Sequence, residues 1–264
     1  MTAVGKQNKC VGVCVENVGV SFGQVEVLKD ISFSVDRGEI FVIMGPSGSG
    51  KSVLLRTLIG LLKPTTGRVL IGDMDASERE THQKIKSALV FQAGALFNSM
   101  TVYDNLAFYP REHRLAKEPE IQVKVEEALE MLSLQDAAKK IPAELSGGMR
   151  KRVAIARSLV MEPQLLLYDE PTSELDPTMA ATISEVIATL REELNVTSVV
   201  VSHDRDLAEN ISDRMILLKK GSILASGTAS EIMGQHTEEI NEFFRPEIDV
   251  ENPRFRRQSE EKVS

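Results

Sequence analysis

Tryptophan is absent from the 264-residue chain, tyrosine occurs three times and cysteine twice. Cys10 and Cys14 lie close together near the N-terminus. A disulfide scaffold needs more cysteines than this, and no neighbouring His or Cys completes a four-ligand metal set. Both are expected as small, buried or half-buried residues in a strand. No run approaches the roughly 18 apolar residues of a membrane-spanning helix. Met1 to Lys9 are polar and lead into an alternating stretch instead of an apolar leader core. The expectation is a cytosolic chain that reaches a membrane only through a partner. Basic charge is also lacking: 39 acidic residues outnumber 31 basic ones, for a net charge of −8. That balance argues against non-specific nucleic-acid binding, so no nucleic-acid partner is expected. The length suits one large domain, or one domain with an insert and a tail.

What is present is an α/β pattern. Val11 to Phe22 alternates apolar and polar residues, and Ile31 to Val35 alternates again before the turn Asp36-Arg37-Gly38. Together they predict an N-terminal antiparallel β layer. Ile40 to Met44 is a short continuous apolar run, ended by Gly45 and followed by a helical pattern from Lys51. Strand, glycine loop and helix open a parallel α/β unit. Leu165 to Tyr168 and Ser198 to Val201 repeat the character of that buried strand, and each runs straight into polar residues. Residues of about 93–160 read as a helical insert, with Ile121, Val125, Ala128, Leu129 and Leu132 on one helical face. Thr178 to Leu194 reads as another helix, with Asp176 as N-cap and Pro177 at the first position. The main domain is expected over 1–235. Residues 236–264 are charged and punctuated by proline, and read as a C-terminal extension. Phe243, Phe244 and Phe255 are apolar anchors there, suited to folding against a partner.

Gly45-Pro46-Ser47-Gly48-Ser49-Gly50-Lys51-Ser52 carries the first chemistry, with Val53 continuing the helix. Such a loop wraps phosphates with backbone N–H groups, and the helix N-terminus adds its own. Lys51 would reach the β- and γ-phosphates and Ser52 would ligate Mg²⁺. Asp169 ends a buried strand and could hold the same ion, while Glu170 is placed to orient or deprotonate an attacking water. His203 and Gln92 end two further predicted strands. His203 could contact the γ-phosphate and the water, and Gln92 the metal or the water. His82, His113 and His236 lie in polar surroundings and read as ordinary exposed histidines. Ser146, Gly147 and Gly148 open a helix and present a second set of free N–H groups. A chain with its own phosphate loop has no need of a second anion site, so the natural use is a neighbour's γ-phosphate. That implies ATP held between two subunits.

In this order the segments resemble the ATP-binding cassette (ABC) family over about residues 11 to 230. The resemblance likens Gly45–Ser52 to its Walker A loop and Leu165–Glu170 to its Walker B strand with the catalytic glutamate. Leu145–Gly148 resembles the family signature, Ser173–Asp176 the D-loop, Gln92 the Q-loop and His203 the switch histidine. Phe22 matches the aromatic position that stacks on adenine. The resemblance implies an ATPase with ATP and Mg²⁺ as cofactors, working as a homodimer of nucleotide-binding subunits beneath an integral membrane permease. Its fold would be a phosphate-loop parallel-sheet core with the antiparallel β layer and a helical signature subdomain. Met149 stands where many members have Gln, and Glu174 where Ala or Gly is frequent. Neither change removes a phosphate-contacting group.

A narrower resemblance rests on Phe91-Gln-Ala-Gly-Ala-Leu-Phe97, Met100-Thr-Val-Tyr-Asp-Asn105 and Arg111-Glu-His113. These are similar to the Mla/Mce-type lipid-transport ATPases. That likeness implies transport of phospholipid or other hydrophobic cargo between membranes, in the service of outer-membrane lipid asymmetry. It implies a place on the cytoplasmic face of the inner membrane, an Mce-type lipid-binding subunit within the complex, and a small regulatory subunit on the helical insert. Two rival readings keep the motor and change its use: an importer for a small polar solute, and a non-transport cassette acting on ribosomes or DNA.

Overall fold

The alternating and the continuously apolar segments build two different sheets. The computed structural model describes residues 10–244; Phe255 and the rest of the expected extension beyond 244 lie outside the described residues. In chain order the elements are β1 (Val13–Phe22), β2 (Val25–Val35), β3 (Ile40–Met44), α1 (Lys51–Leu58), β4 (Thr66–Ile71), β5 (Met74–Asp75), α2 (Arg79–Lys84) and β6 (Ser87–Val90). Then come α3 (Val102–Glu112), α4 (Glu118–Met131), α5 (Gly147–Leu159), β7 (Leu165–Asp169), α6 (Pro177–Leu194) and β8 (Thr197–Val201). The chain continues through α7 (Arg205–Ile211), β9 (Arg214–Lys219), β10 (Ser222–Gly227), α8 (Ala229–Met233) and α9 (Glu238–Phe244).

The first sheet is antiparallel, in the order β2-β1-β4-β5. The second has the order β10-β9-β3-β8-β7-β6, parallel except where β10 folds back on β9. Both faces of this second sheet are covered, which is why its strands read as unbroken apolar runs. Ile40, Val42 and Met44 of β3 face a core shared with α3 to α6, while Phe41 and Ile43 face a second core under α1 and the antiparallel sheet. In β7, Leu166 and Tyr168 join the first core, and Leu165 and Leu167 the second.

The helical region between β6 and β7 packs α3, α4 and α5 on one another. Ile121, Val125, Ala128, Leu129 and Leu132 are all buried there. In α6, Asp176 is the N-cap, accepting the Met179 N–H at 3.0 Å, and Pro177 is the first helical residue. Three details differ from the sequence expectation. Cys10 precedes β1, so only Cys14 lies in a strand, and both are half-buried. The second strand begins at Val25, because Asn17 and Asp30 take positive φ, bond to each other at 2.8 Å and break the alternation with a bulge. Phe243 and Phe244 pack against the chain's own core instead of standing free for a partner. The physical reason lies in α9, where Ile240 is buried and Lys219 pairs with Glu242 at 3.4 Å and Glu239 at 3.8 Å.

The start of β3 is anchored by charge. Glu39 is buried and accepts Arg214 Nε at 2.7 Å and Nη2 at 2.8 Å. Asp213 accepts the Ile40 N–H at 2.9 Å, and Arg191 Nε donates to the Gly38 carbonyl at 3.0 Å. Losing one member of a buried ionic pair is costly, but the Arg214 side chain is 39% exposed and can regain water. Glu39→Ala is expected to lower stability by about 1–3 kcal/mol in urea unfolding. An unchanged midpoint would show that β3 is held without this pair.

Candidate active site

Three neighbouring parallel strands deliver the site. β3, β7 and β8 end side by side, with Ile43 and Asp169 both in register with Val201. In an open parallel sheet, the loops at these carboxyl ends form the binding crevice. The loop after β3 begins at Gly45, whose φ is +153°. A Cβ at this position would fall 2.2 Å from the Leu218 carbonyl oxygen, so only glycine lets the loop pass so close to β9. Pro46, Ser47 and Gly48 are exposed. Ser49 is buried, and among the described residues its hydroxyl has no hydrogen-bond partner. Gly50 caps α1 without a side-chain acceptor, which leaves the first-turn N–H groups free for an anion.

Lys51 is buried and folds back across the loop, donating to the Gly45 carbonyl at 2.7 Å and the Pro46 carbonyl at 3.2 Å. Its ammonium lies 3.8 Å from Glu170 Oε1. Burial holds the Lys51 ammonium below the usual lysine value, and the nearby Glu170 and Asp169 carboxylates only partly offset this. Ser52 Oγ donates to Asp169 Oδ1 at 3.4 Å. Burial pushes the Asp169 carboxyl up, opposed chiefly by the Ser52 hydroxyl. Val53 is half-buried behind them.

Glu170 adopts φ +50°, a conformation disfavoured for a residue with a Cβ and costing roughly 1–3 kcal/mol. Contacts on both sides hold it there. Its N–H donates to the Val201 carbonyl at 2.9 Å, and its own carbonyl accepts Ser173 Oγ at 2.8 Å, the Ser173 N–H at 3.2 Å and Lys151 Nζ at 3.3 Å. The carboxylate turns toward β8, where Oε2 lies 2.7 Å from His203 Nδ1 and accepts the His203 N–H at 3.3 Å. The His203 ring is mostly exposed, whereas the Glu170 side chain is mostly covered.

The remaining predicted residues stand apart from this cluster. Phe22 ends β1, is 52% exposed and pairs with Val25; further along β2, Leu28 abuts Gly50. The Gln92 side chain is exposed and, among the described residues, makes no hydrogen bond to Ser52, Asp169 or Glu170. Its main-chain carbonyl instead accepts Lys151 Nζ at 2.6 Å. Ser146 caps α5 by accepting the Met149 N–H at 3.2 Å. Gly148 lies against α6, where a Cβ would come within 2.7 Å of Met179 Sδ, and Gly147 faces Leu175. Gly147 and Gly148 therefore sit against the segment from Leu175 to Met179, which includes Asp176.

Two cations of α5 were given no role by the sequence reading. Lys151 joins Gln92, Glu170 and Ser173, the last at 3.2 Å. Arg157 donates to the Ala95 carbonyl at 2.6 Å and the Gly94 carbonyl at 3.0 Å. Burial holds both below their usual values. A signal was available: Lys151 shares the buried helical face of Gly148, Ala154 and Ile155, where a lysine that only solvates the surface does not belong.

The family described as ABC transporter matches residues 28–173. The probable ribonucleotide transport ATP-binding protein mkl of Mycobacterium leprae is 38% identical over 250 residues, covering 92% of this chain and 72% of its own. The Fe(3+) ions import ATP-binding protein FbpC of Rhizobium etli is 43% identical over 220 residues, covering 83% of this chain and 62% of its own. Among solved structures, cbiO1 of Clostridium perfringens, described as part of an ABC transporter complex, superposes with a TM-score of 0.78 at 30% identity, over 89% of this chain and 95% of that one. A dimeric ATP-binding cassette bound to ADP and Pi superposes with a TM-score of 0.73 at 33% identity, over 82% and 98%. With the family matched from residue 28 through Glu170 to residue 173, and the fold shared with solved cassettes, the chain belongs to the ABC transporter family as an ATP-binding, ATP-hydrolysing subunit.

Proposed function

We propose that the cluster of Lys51, Ser52, Asp169, Glu170 and His203 is the hydrolytic half-site of a transport motor, completed when a second copy of the chain closes over ATP. The observation that carries this reading is the convergence of a phosphate-loop lysine, a hydroxyl–carboxylate pair and a carboxylate–imidazole pair on adjoining strand ends. The phosphates lie along Gly45, Pro46, Ser47, Gly48, Ser49 and Gly50, and Lys51 exchanges its carbonyl partners for phosphate oxygens. Phe22 lies against adenine, and Val53 backs the loop. The buried Ser49 hydroxyl, unpartnered among the described residues, and the first-turn N–H groups of α1 suit an anion. Ser52 Oγ and Asp169 Oδ1 are hard oxygen donors of the kind Mg²⁺ takes, and the exposed Gln92 amide can add a third. Mg²⁺ bound there neutralises phosphate charge. Glu170 takes the proton of the attacking water, and His203 orients the Glu170 carboxylate and the γ-phosphate. Ser146, Gly147 and Gly148 of one copy cap the phosphate held by the other, and Asp176 lies in the segment between the two sites. The dimeric state of the cassette found with ADP and Pi supports this pairing.

The cargo assignment is narrower. We assign a phospholipid or other hydrophobic cargo, moved through an integral membrane permease with an Mce-type lipid-binding subunit and a small regulatory subunit, from the cytoplasmic face of the inner membrane. It rests on the segments Phe91–Phe97, Met100–Asn105 and Arg111–His113. Phe91 and Phe97 there are exposed, as is the neighbouring Tyr109, and Arg111 is fixed by Asp104 and Glu118. A solute importer is the second reading, favoured by relatives named for Fe(3+) and sulfate import. Gentle solubilisation of membranes, capture of the chain and mass spectrometry of bound proteins and lipids separates the two. A permease with a lipid-binding subunit and enriched phospholipid supports the first. A solute permease alone keeps the motor and overturns the lipid cargo.

Glu170→Gln is expected to slow phosphate release by roughly 10²–10⁴-fold while keeping ATP binding and favouring the closed dimer on size exclusion. Steady-state hydrolysis at the wild-type rate would remove Glu170 from its role. Lys51→Ala is expected to weaken ATP binding itself, and an unchanged affinity in equilibrium titration would count against the phosphate-loop assignment.

A further inference from the structure

Lys151 touches two loops of the site at once, the one after β6 and the one after β7. It is 9% exposed and lies on α5, one and a half turns after the Ser146 cap. Its ammonium donates to the Gln92 carbonyl at 2.6 Å, to Ser173 Oγ at 3.2 Å and to the Glu170 carbonyl at 3.3 Å. All three acceptors are neutral, so the bonds give direction where an ion pair would give only attraction. Ser173 Oγ in turn donates to the Glu170 carbonyl at 2.8 Å. The Lys151 ammonium and the Ser173 hydroxyl therefore meet at one oxygen, and that oxygen belongs to the residue held at φ +50°. A strained backbone persists only where its surroundings over-determine it. Farther along the same helix, Arg157 holds the Gly94 and Ala95 carbonyls, so α5 grips the loop after β6 at two points.

We propose that Lys151 is a positioning residue for hydrolysis: its bonds to the Glu170 carbonyl and to Ser173 keep Glu170 in the left-handed conformation that aims its carboxylate at His203 and the water. Through the Gln92 carbonyl the same ammonium ties the loop after β6 to that geometry. Because α5 starts at the residues proposed to meet the neighbour's phosphate, any shift of this helix on closure is carried by one side chain to both Glu170 and Gln92. The inference rests on Glu170 as the proton acceptor of the preceding subsection.

The test measures hydrolysis by the full-length chain under steady-state and single-turnover conditions, together with ATP binding at equilibrium and thermal unfolding. The variants are K151M, K151Q, E170Q and the K151M/E170Q double. K151M keeps the stem and loses every donor. It is expected to lower kcat by about 10- to 100-fold, the scale for a displaced reacting group. ATP affinity should stay within about threefold of wild type, since Lys151 bonds to none of the residues proposed to hold adenine and the phosphates. K151Q, which keeps two amide donors, is expected to fall between wild type and K151M, and it carries the comparison if K151M does not fold. In the E170Q background, removal of Lys151 should cost little more, because both changes disable one group. A wild-type kcat in K151M, a loss of ATP affinity as large as the loss of kcat, or a full multiplicative loss in the double variant would each overturn the proposal. E170Q at the wild-type rate would overturn the proton-acceptor reading and this inference with it. A slow E170Q beside an unimpaired K151M would overturn the inference alone.

Discussion

Register between three parallel strands is the constraint on which the site depends. β3, β7 and β8 are buried on both faces, and a one-residue slip of any of them would carry its side chains to the wrong core. Tyr168 must face the helical core and Leu167 the other, so the next residues, Asp169 and Glu170, have no freedom in where they emerge. The same holds for Met44 before the phosphate loop and for Val201 before His203. Ser202 closes the arrangement by donating its N–H to the Ile43 carbonyl at 3.1 Å. Packing that has nothing to do with phosphate thereby places a lysine, two carboxylates and an imidazole within a few ångströms of one another.

Charge is handled differently on the two sides of that edge. Exposed cations pair with carboxylates, as Arg68 does with Glu16 and Lys86 with Glu162. The α5 cations Lys151 and Arg157 bond to main-chain carbonyls and a hydroxyl. Carbonyls in loops are orphaned acceptors that must be satisfied somehow when covered. A cation with several donors satisfies them in one stroke, and Glu174, Glu170 and Asp169 partly offset the cost of burying the Lys151 charge. The positive end of this helix region thus works as scaffolding, while Lys51, also buried, keeps its ammonium beside the mouth of the loop.

Much of this was legible in the chain. Runs such as Ile40 to Met44 could be read as doubly covered strands because they lack alternation, and the glycine-rich loop between strand and helix could be read from its spacing. Asp176 and Pro177 announced the start of α6. Less legible were β4, β5, β9 and β10. The first three residues of β4, Thr66, Gly67 and Arg68, are exposed, and its short partner β5 has only two residues. The role of Lys151 was hidden for a different reason: its acceptors come from residues 92, 170 and 173, and only the folded chain brings these together. The phenylalanines of α9 misled because apolar residues in a charged segment fit a partner's surface and the chain's own surface equally well. The ion pairs from Lys219 to α9 could not be seen in composition.

The lack of any indole has a practical side once the position of Phe22 is known. That ring ends β1, half in solvent, next to the β2 segment that abuts Gly50. An indole introduced at position 22 would be the sole one in the 264-residue chain, so indole emission would come from one address. The chain offers a spectroscopist a dark background beside its most informative edge.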